Sequence, residues 1–217
     1  MSTNKSKIAV IGLGNIGKIV ATNLVNGNRP VIVASRKIQD AESFAQQAGN
    51  LVTALDVPDA IKAADMVIVS VPFGAIKELL SKQASAFKGK IIIDPSNPIA
   101  PDGRGGFKKI VGDNESAGEI IAAGLPEGAK LVKAFGTLSA ASLSGASRRK
   151  PDAAVLFYAS DDESVNGKME ELIRDSGFDP ALVGGIDQSI RIEVFGDLHE
   201  FGALGKVATL AEIEAKV

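Results

Sequence analysis

Short, wholly apolar runs alternate with amphipathic stretches through the first 95 residues of the chain. Residues 7–11 read Lys-Ile-Ala-Val-Ile and stop at Gly12. Over 15–26, Ile16, Ile19, Val20 and Leu24 recur at helical spacing, and Gly27 closes the stretch. The cycle then repeats. A strand is expected at 31–34, a helix at 38–48 ended by Gly49, a weaker strand at 51–55 and a helix at 56–64. Pro58 falls in the first turn of that helix, where a missing N–H does no harm. Strand 66–70, helix 75–87 and strand 91–94 follow. Strands apolar at nearly every position are buried on both faces, as in a parallel sheet covered by helices. With right-handed crossovers this is an α/β fold with a doubly wound parallel sheet.

The pattern lapses from 95 to 113, where Pro95, Pro98 and Pro101 precede Asp102-Gly-Arg-Gly-Gly106. A loop of that length inside a compact domain is usually functional. Helix returns at 115–123, strand at 130–134 and helix at 138–143. A polar loop, 144–152, carries Arg148-Arg149-Lys150. Beyond it the pattern predicts a strand at 155–159, a helix at 163–176, a strand-like piece at 180–184 and a helical tail over 189–217 broken at 201–205.

Gly12-Leu13-Gly14-Asn15-Ile16-Gly17 is a G-x-G-x-x-G motif. The pattern alone is weak. Here it follows an apolar strand and opens an amphipathic helix, the context its chemistry requires. Gly12 permits the tight turn, Gly14 lets the backbone approach a pyrophosphate, and Gly17 allows close helix–strand packing. The free amides and the dipole at the helix start favour the negative charge. The motif therefore predicts a dinucleotide, bound by residues 1–143 in an NAD(P)-binding Rossmann domain. Residues 144–217 are expected to form a small C-terminal α/β subdomain.

An NAD site places an acid at the end of the second strand to accept the ribose hydroxyls. Here that strand ends Ala34-Ser35-Arg36-Lys37, without an acid. A serine and two cations suit a 2′-phosphate, so the expected cofactor is NADP(H). The plain alternative is a solvated basic turn.

Composition narrows the chemistry. The chain has 217 residues, 45% of them hydrophobic and 23% charged, and a net charge of −2. It is thus a folding chain without a basic field for nucleic acid. Cysteine is absent and His199 is the only histidine. Disulfides, thiolate metal sites and multi-histidine metal sites are excluded, and no metal is expected. Short-chain dehydrogenases need Tyr-x-x-x-Lys, but the sole tyrosine, Tyr158, is followed by Asp162 at that spacing. No convincing general base is visible, and the catalytic residues stay unassigned. Hydride transfer between two cofactor rings needs none, because the protein supplies orientation and exclusion of water. The chain shows neither a signal-peptide pattern nor an apolar span long enough for a membrane, so a cytoplasmic protein is expected.

Further segments carry a family resemblance. Val71-Pro72-Phe73 leaves the fourth strand, and Asp94-Pro95-Ser96-Asn97-Pro98 leaves the fifth. Glu115-Ser-Ala-Gly-Glu119 opens a helix, and Lys133-Ala-Phe-Gly-Thr-Leu138 and Tyr158-Ala-Ser-Asp-Asp-Glu163 follow. In this order, and with the nucleotide elements, they resemble the coenzyme F420-dependent NADP oxidoreductase family, whose fold also forms the NADPH domain of the STEAP metalloreductases. The resemblance implies NADP use and a cofactor-binding set that adds Ser70, Val71, Pro72, Phe73, Ile76, Asn97, Pro98, Phe135, Gly136 and Thr137 to the glycine loop and Ser35-Arg36-Lys37. Val71–Phe73, Asn97 and Phe135–Thr137 are implied to lie around the nicotinamide. Gly136 departs from the Asn or His common in the family, which would enlarge the site or remove a polar contact to a second ring.

The function expected is hydride transfer between NADPH and a deazaflavin (F420) or flavin-type acceptor. The alternatives are a non-catalytic NADP-binding redox sensor and a dehydrogenase of a small carbonyl substrate. Arg104 or Arg148-Arg149-Lys150 would hold an anionic tail of the second cofactor, or else be solvated loop charges. A homodimer is expected, because a tail too short to be a full domain completes its packing against a partner.

Overall fold

The computed structural model describes residues 5–214. Its main sheet has eight strands: β1 (Ile8–Ile11), β2 (Val31–Ala34), β3 (Val52–Ala54), β4 (Met66–Val69), β5 (Ile91–Asp94), β8 (Lys130–Ala134), β9 (Val155–Ala159) and β10 (Asp179–Leu182). Their order is β10-β9-β8-β5-β4-β1-β2-β3, and every pairing from β3 to β8 is parallel.

The strand sequences explain the two covered faces. Ile8 and Val10 enter one apolar cluster with Met66, Ile68, Ile91 and Ile93. Their neighbours Ala9 and Ile11 enter the other with Val67, Val69 and Ile92. Side chains alternate across a strand, so a strand buried on both faces must be apolar throughout. The first face is covered by α1 (Asn15–Asn26), α2 (Ile38–Ala48), α7 (Ala140–Gly145) and α8 (Asn166–Asp175). The second is covered by α3 (Val57–Ala63), α4 (Phe73–Lys82), α5 (Ala84–Phe87) and α6 (Ala117–Ala122).

Several expectations are corrected. The sheet is not wholly parallel, because β9 runs antiparallel to β8 and meets it only through Lys133 opposite Ala159 and Ala134 opposite Tyr158. Both strands are therefore joined at their C-terminal ends. β10 then pairs parallel with β9, so the strands after residue 143 continue the same sheet. The helix expected at 75–87 begins two residues earlier, with Pro72 at its N-cap, and breaks at Gln83 into α4 and α5. Within the 95–113 stretch, β6 (Ile99–Pro101) and β7 (Phe107–Lys109) form an antiparallel hairpin. Ser139 caps α7 and shifts it two residues from the expected start. The expected helix 163–176 starts as a 3-10 turn, Glu163–Val165, before α8.

The helical tail is the largest departure. After a 3-10 turn, Ile186–Arg191, the chain follows glycine-dependent turns until α9 (Leu210–Glu214). A Cβ at Gly196 would run into the carbonyls of Ile190 and Arg191, and one at Gly202 into the carbonyl of Gly196. Residues 215–217 of that expectation lie outside the described residues.

Candidate functional site

β1 lies between β2 and β4, so the connections from its two neighbours leave in opposite directions and open a crevice at the C-terminal edge. The glycine loop fills that point. Gly12 has φ +97°, donates its N–H to the Ala34 carbonyl at 2.8 Å, and would drive a Cβ into the Ser70 carbonyl. A Cβ on Gly17 would fall on the Gly12 carbonyl oxygen, which fixes the helix against the turn. Gly14 behaves differently. It is the exposed N-cap of α1, and no heavy atom lies within 4 Å of where its Cβ would stand. No side chain caps the helix. The first-turn amides therefore face open space that a Cβ would occupy, as a pyrophosphate cradle requires.

Two clefts meet there. The larger, about 610 Å³, runs over Gly12 to Gly14, Ser35, Arg36 and Ser70 to Pro72, with an apolar bed of Val57, Ala75 and Leu79. Arg36 and Lys37 are exposed, Arg36 lines the cleft, and Lys37 is the N-cap of α2 and stands outside the lining. Asp40, Glu78 and Lys82 also border this cleft. The Glu78 carboxylate is held below its ordinary range by a hydrogen bond from Lys82, at 2.5 Å. The second cleft, about 280 Å³, is formed by Gly14, Asn15, Ile16, Ser70 to Phe73, Pro95 to Asn97 and Ile99. The shared wall is Gly14 with Ser70, Val71 and Pro72. The residues thus fit a dinucleotide: an open, uncapped helix start at Gly14 joins a cleft bordered by Ser35 and Arg36 to one bordered by Phe73 and Asn97.

Not every expected residue reaches this groove. Ile76 is fully buried in the core beneath α4, and Pro98 and Phe135 are buried away from the lining. Thr137 is buried with its hydroxyl unpartnered. Gly136 neither enlarges the groove nor lines it. A Cβ there would come within 2.8 Å of the Pro95 carbonyl oxygen, so glycine is what lets the exits of β5 and β8 approach. Asn97 lines the cleft, but its amide is committed. Nδ2 donates to the Gly136 carbonyl at 3.0 Å, and Oδ1 accepts from the Val194 N–H at 2.7 Å. These residues form a packed layer behind the second cleft.

Beneath them is a buried charge cluster that the sequence reading missed. Lys133 Nζ lies 2.6 Å from Asp94 Oδ2 and 3.6 Å from Glu193 Oε1, and it also donates to the Ser96 carbonyl. Asp94 Oδ1 accepts from the Ser96 N–H at 2.8 Å. The Glu193 carboxylate accepts from the Ala117 and Gly118 amides, each at 3.0 Å. Burial raises the Glu193 pKa, while Lys133 and the two amides pull it back. The cluster ties the exits of β5 and β8, the start of α6 and the 193–194 segment together. The signal was present: Asp94 ends an otherwise apolar strand, Lys133 stands between Leu131-Val132 and Ala134-Phe135, and a buried charge needs a partner.

The remaining candidates are structural. Arg148 donates to the Asp175 and Ser176 carbonyls at the end of α8, and Arg149 to the Asp152 carbonyl. Arg104 is exposed in the β6–β7 turn, outside both cleft linings. Tyr158 is buried, donates to Glu170 at 3.2 Å, and is pushed up to about 12 by burial. His199 is buried and accepts from the Phe201 N–H at 3.2 Å, and burial lowers its pKa. Among the described residues, no group of three or more His, Cys, Asp or Glu could hold a metal, and no helix is long and apolar enough to cross a membrane.

A glycine cradle opening an uncapped helix at the switch point of a mainly parallel sheet is the site of a Rossmann-type dinucleotide-binding protein. Residues 7–98 match the family described as NADP oxidoreductase coenzyme F420-dependent, and the chain is distantly related to F420-dependent NADP reductases and to STEAP3. It is 27% identical over 187 residues to the metalloreductase STEAP3 of Rattus norvegicus, a match covering 86% of this chain and 36% of that protein. It is 31% identical over 147 residues to the F420-dependent NADP reductase of Methanothermobacter marburgensis, covering 63% of this chain and 66% of that one. The chain thus spans about a third of the first relative's length and about two thirds of the second's. A crystal structure of a hypothetical protein from Sinorhizobium meliloti superposes with a TM-score of 0.82 at 29% identity, covering 96% of this chain and 97% of that one.

Proposed function

We propose that the chain binds NADPH along the groove and transfers hydride to a planar ring acceptor of the deazaflavin (F420) or flavin type. The observation that carries this reading is the lining of the nicotinamide half. Gly14 to Ile16, Ser70 to Phe73, Pro95 to Asn97 and Ile99 include no acid, base or cation. Reduction of a carbonyl is helped by a positioned acid with a pKa near the working pH, and this lining offers only the hydroxyls of Ser70 and Ser96 and the side-chain amides of Asn15 and Asn97. Transfer between two rings needs only alignment and dryness. When bound, NADPH supplies the hydride with its electron pair, and the acceptor ring takes a proton from solvent. The protein's part is to anchor the phosphates at Gly14, grip the adenine end through Ser35 and Arg36, and present an apolar wall of Val71, Pro72 and Phe73. The name of the Methanothermobacter relative supports the deazaflavin as acceptor.

The test is NADPH oxidation with F420, FMN, FAD, quinones and a panel of small carbonyl compounds. Turnover with a deazaflavin or flavin is expected. Turnover confined to carbonyls would refute the reading, and tight NADPH binding with no turnover would replace it with a sensor role.

A further inference from the structure

Phe195 combines a left-handed backbone with an exposed aromatic side chain. Its φ is +76°, a region that bulky side chains rarely adopt and glycine enters freely. The residue is 58% exposed, so the core gains little from it. The chain uses glycine one residue later, at Gly196, where the backbone is crowded. At 195 it keeps a phenyl ring in a strained backbone.

The segment beneath that ring is held from several sides. The preceding Glu193 carboxylate sits on the Ala117 and Gly118 amides and faces Lys133. The Val194 N–H is bound by Asn97 Oδ1 at 2.7 Å. Gly196 N–H donates back to the Glu193 carbonyl at 2.8 Å. Asn97 lines the nicotinamide half of the groove, so Phe195 is rooted one residue from a group that touches that wall. Strained residues over-determined by their surroundings cluster at ligand sites. Here the buried Asp94–Lys133–Glu193 cluster supplies the over-determination.

We infer that Phe195 is the platform for the second ring, a specificity residue that stacks a planar fused heteroaromatic acceptor beside the nicotinamide half. This rests on the hydride-transfer reading above. It goes beyond that reading by assigning the acceptor's contact to a named side chain. A planar ring gains from an aromatic face, whereas a small carbonyl does not.

FMN and F420 are fluorescent, so binding is read by quenching on the full chain saturated with NADP+, without turnover. Phe195→Ala and Phe195→Gly are expected to weaken binding of the quenched probe by roughly 5- to 20-fold. Phe195→Tyr, which keeps the ring, should stay within about twofold of wild type, as should NADPH affinity in all three. Phe195→Gly should melt at or above wild type, because it releases the backbone. A clear fall in its Tm, or unchanged probe binding in Phe195→Ala, would overturn the inference by making the ring a packing element or a bystander. Failure of the wild-type chain to quench either probe would also overturn it, while NADPH oxidation by quinones would still leave hydride transfer standing. If NADPH itself does not bind, the hydride reading fails, and the probe titration repeated without nucleotide still decides the role of Phe195.

Discussion

Lys133→Met removes the one ammonium between two buried carboxylates and keeps the unbranched side chain as far as Cε. Asp94 is fully buried and Glu193 is 1% exposed, so neither regains water. Breaking a buried pair by removing one partner costs about 3–5 kcal/mol, because the remaining charge is left without compensation. For a chain of this size, each kcal/mol shifts Tm by about 2–4 °C, so a drop of about 6–20 °C is expected. The loss should depend on pH. Lys133 holds down a Glu193 pKa that burial has already raised, so its removal raises that pKa further. The folded variant then binds a proton that the unfolded chain releases above its ordinary value near 4.5. Stability falls with rising pH wherever the folded state binds more protons, so the deficit should be larger at pH 8 than at pH 5. Thermal unfolding by circular dichroism at the two pH values reads both effects. Lys133→Met combined with Asp94→Leu should recover part of the loss. A single variant melting within about 2 °C of wild type at pH 8 would refute the buried cluster as the tie beneath the nicotinamide end, on the same scale of 2–4 °C per kcal/mol.

Gly14→Val should leave Tm nearly unchanged, since no heavy atom lies within 4 Å of its Cβ, yet abolish binding of NADPH and NADH alike. Gly17→Ala should instead destabilise the fold, because its Cβ overlaps the Gly12 carbonyl, and melting curves beside nucleotide titrations separate the two. His199 has a pKa below 6.5 in the fold, so the unfolded chain takes its proton first and the protein loses stability as pH falls below that value. His199→Gln should flatten the decline of Tm between about pH 6.5 and pH 5, and an unchanged slope would show that another group causes it.

The parallel half of the fold was legible because its signal is local. Ile8–Ile11, Met66–Val69 and Ile91 to Ile93 are apolar without a gap, and only a doubly covered strand requires that. The glycine loop was legible for a related reason, since each of its glycines answers a separate steric demand of one turn. The nicotinamide end was harder. Asn97 was found, but its work is to bridge Gly136 and Val194, contacts across 39 and 97 residues that no sequence window contains. Gly136 was read as enlarging the site or removing a polar contact because its real neighbour, the Pro95 carbonyl, comes from the exit of another strand. The tail was misread because apolar spacing at 189–217 suggested helix, while Glu193 and Glu200 are drawn in by amides of α6 and α7. The register of Asp94 against Lys133 was the one long-range pairing that charge alone could have suggested.

The central claim is that Ser35 and Arg36, with the charge of Lys37 beside the cleft, make the adenine end a 2′-phosphate site. It is tested most directly by the dissociation constants of NADPH and NADH for the wild-type chain and for Arg36→Ala/Lys37→Ala, read from nucleotide fluorescence at low and high salt. Charge-assisted hydrogen bonds contribute roughly 1.5–3 kcal/mol each before screening, and both cations are exposed. The account predicts NADPH bound about 10- to 100-fold more tightly than NADH, with the preference lost in the double variant and reduced by salt. Equal affinity for the two nucleotides in the wild-type chain would contradict it and make the second strand's end a surface turn.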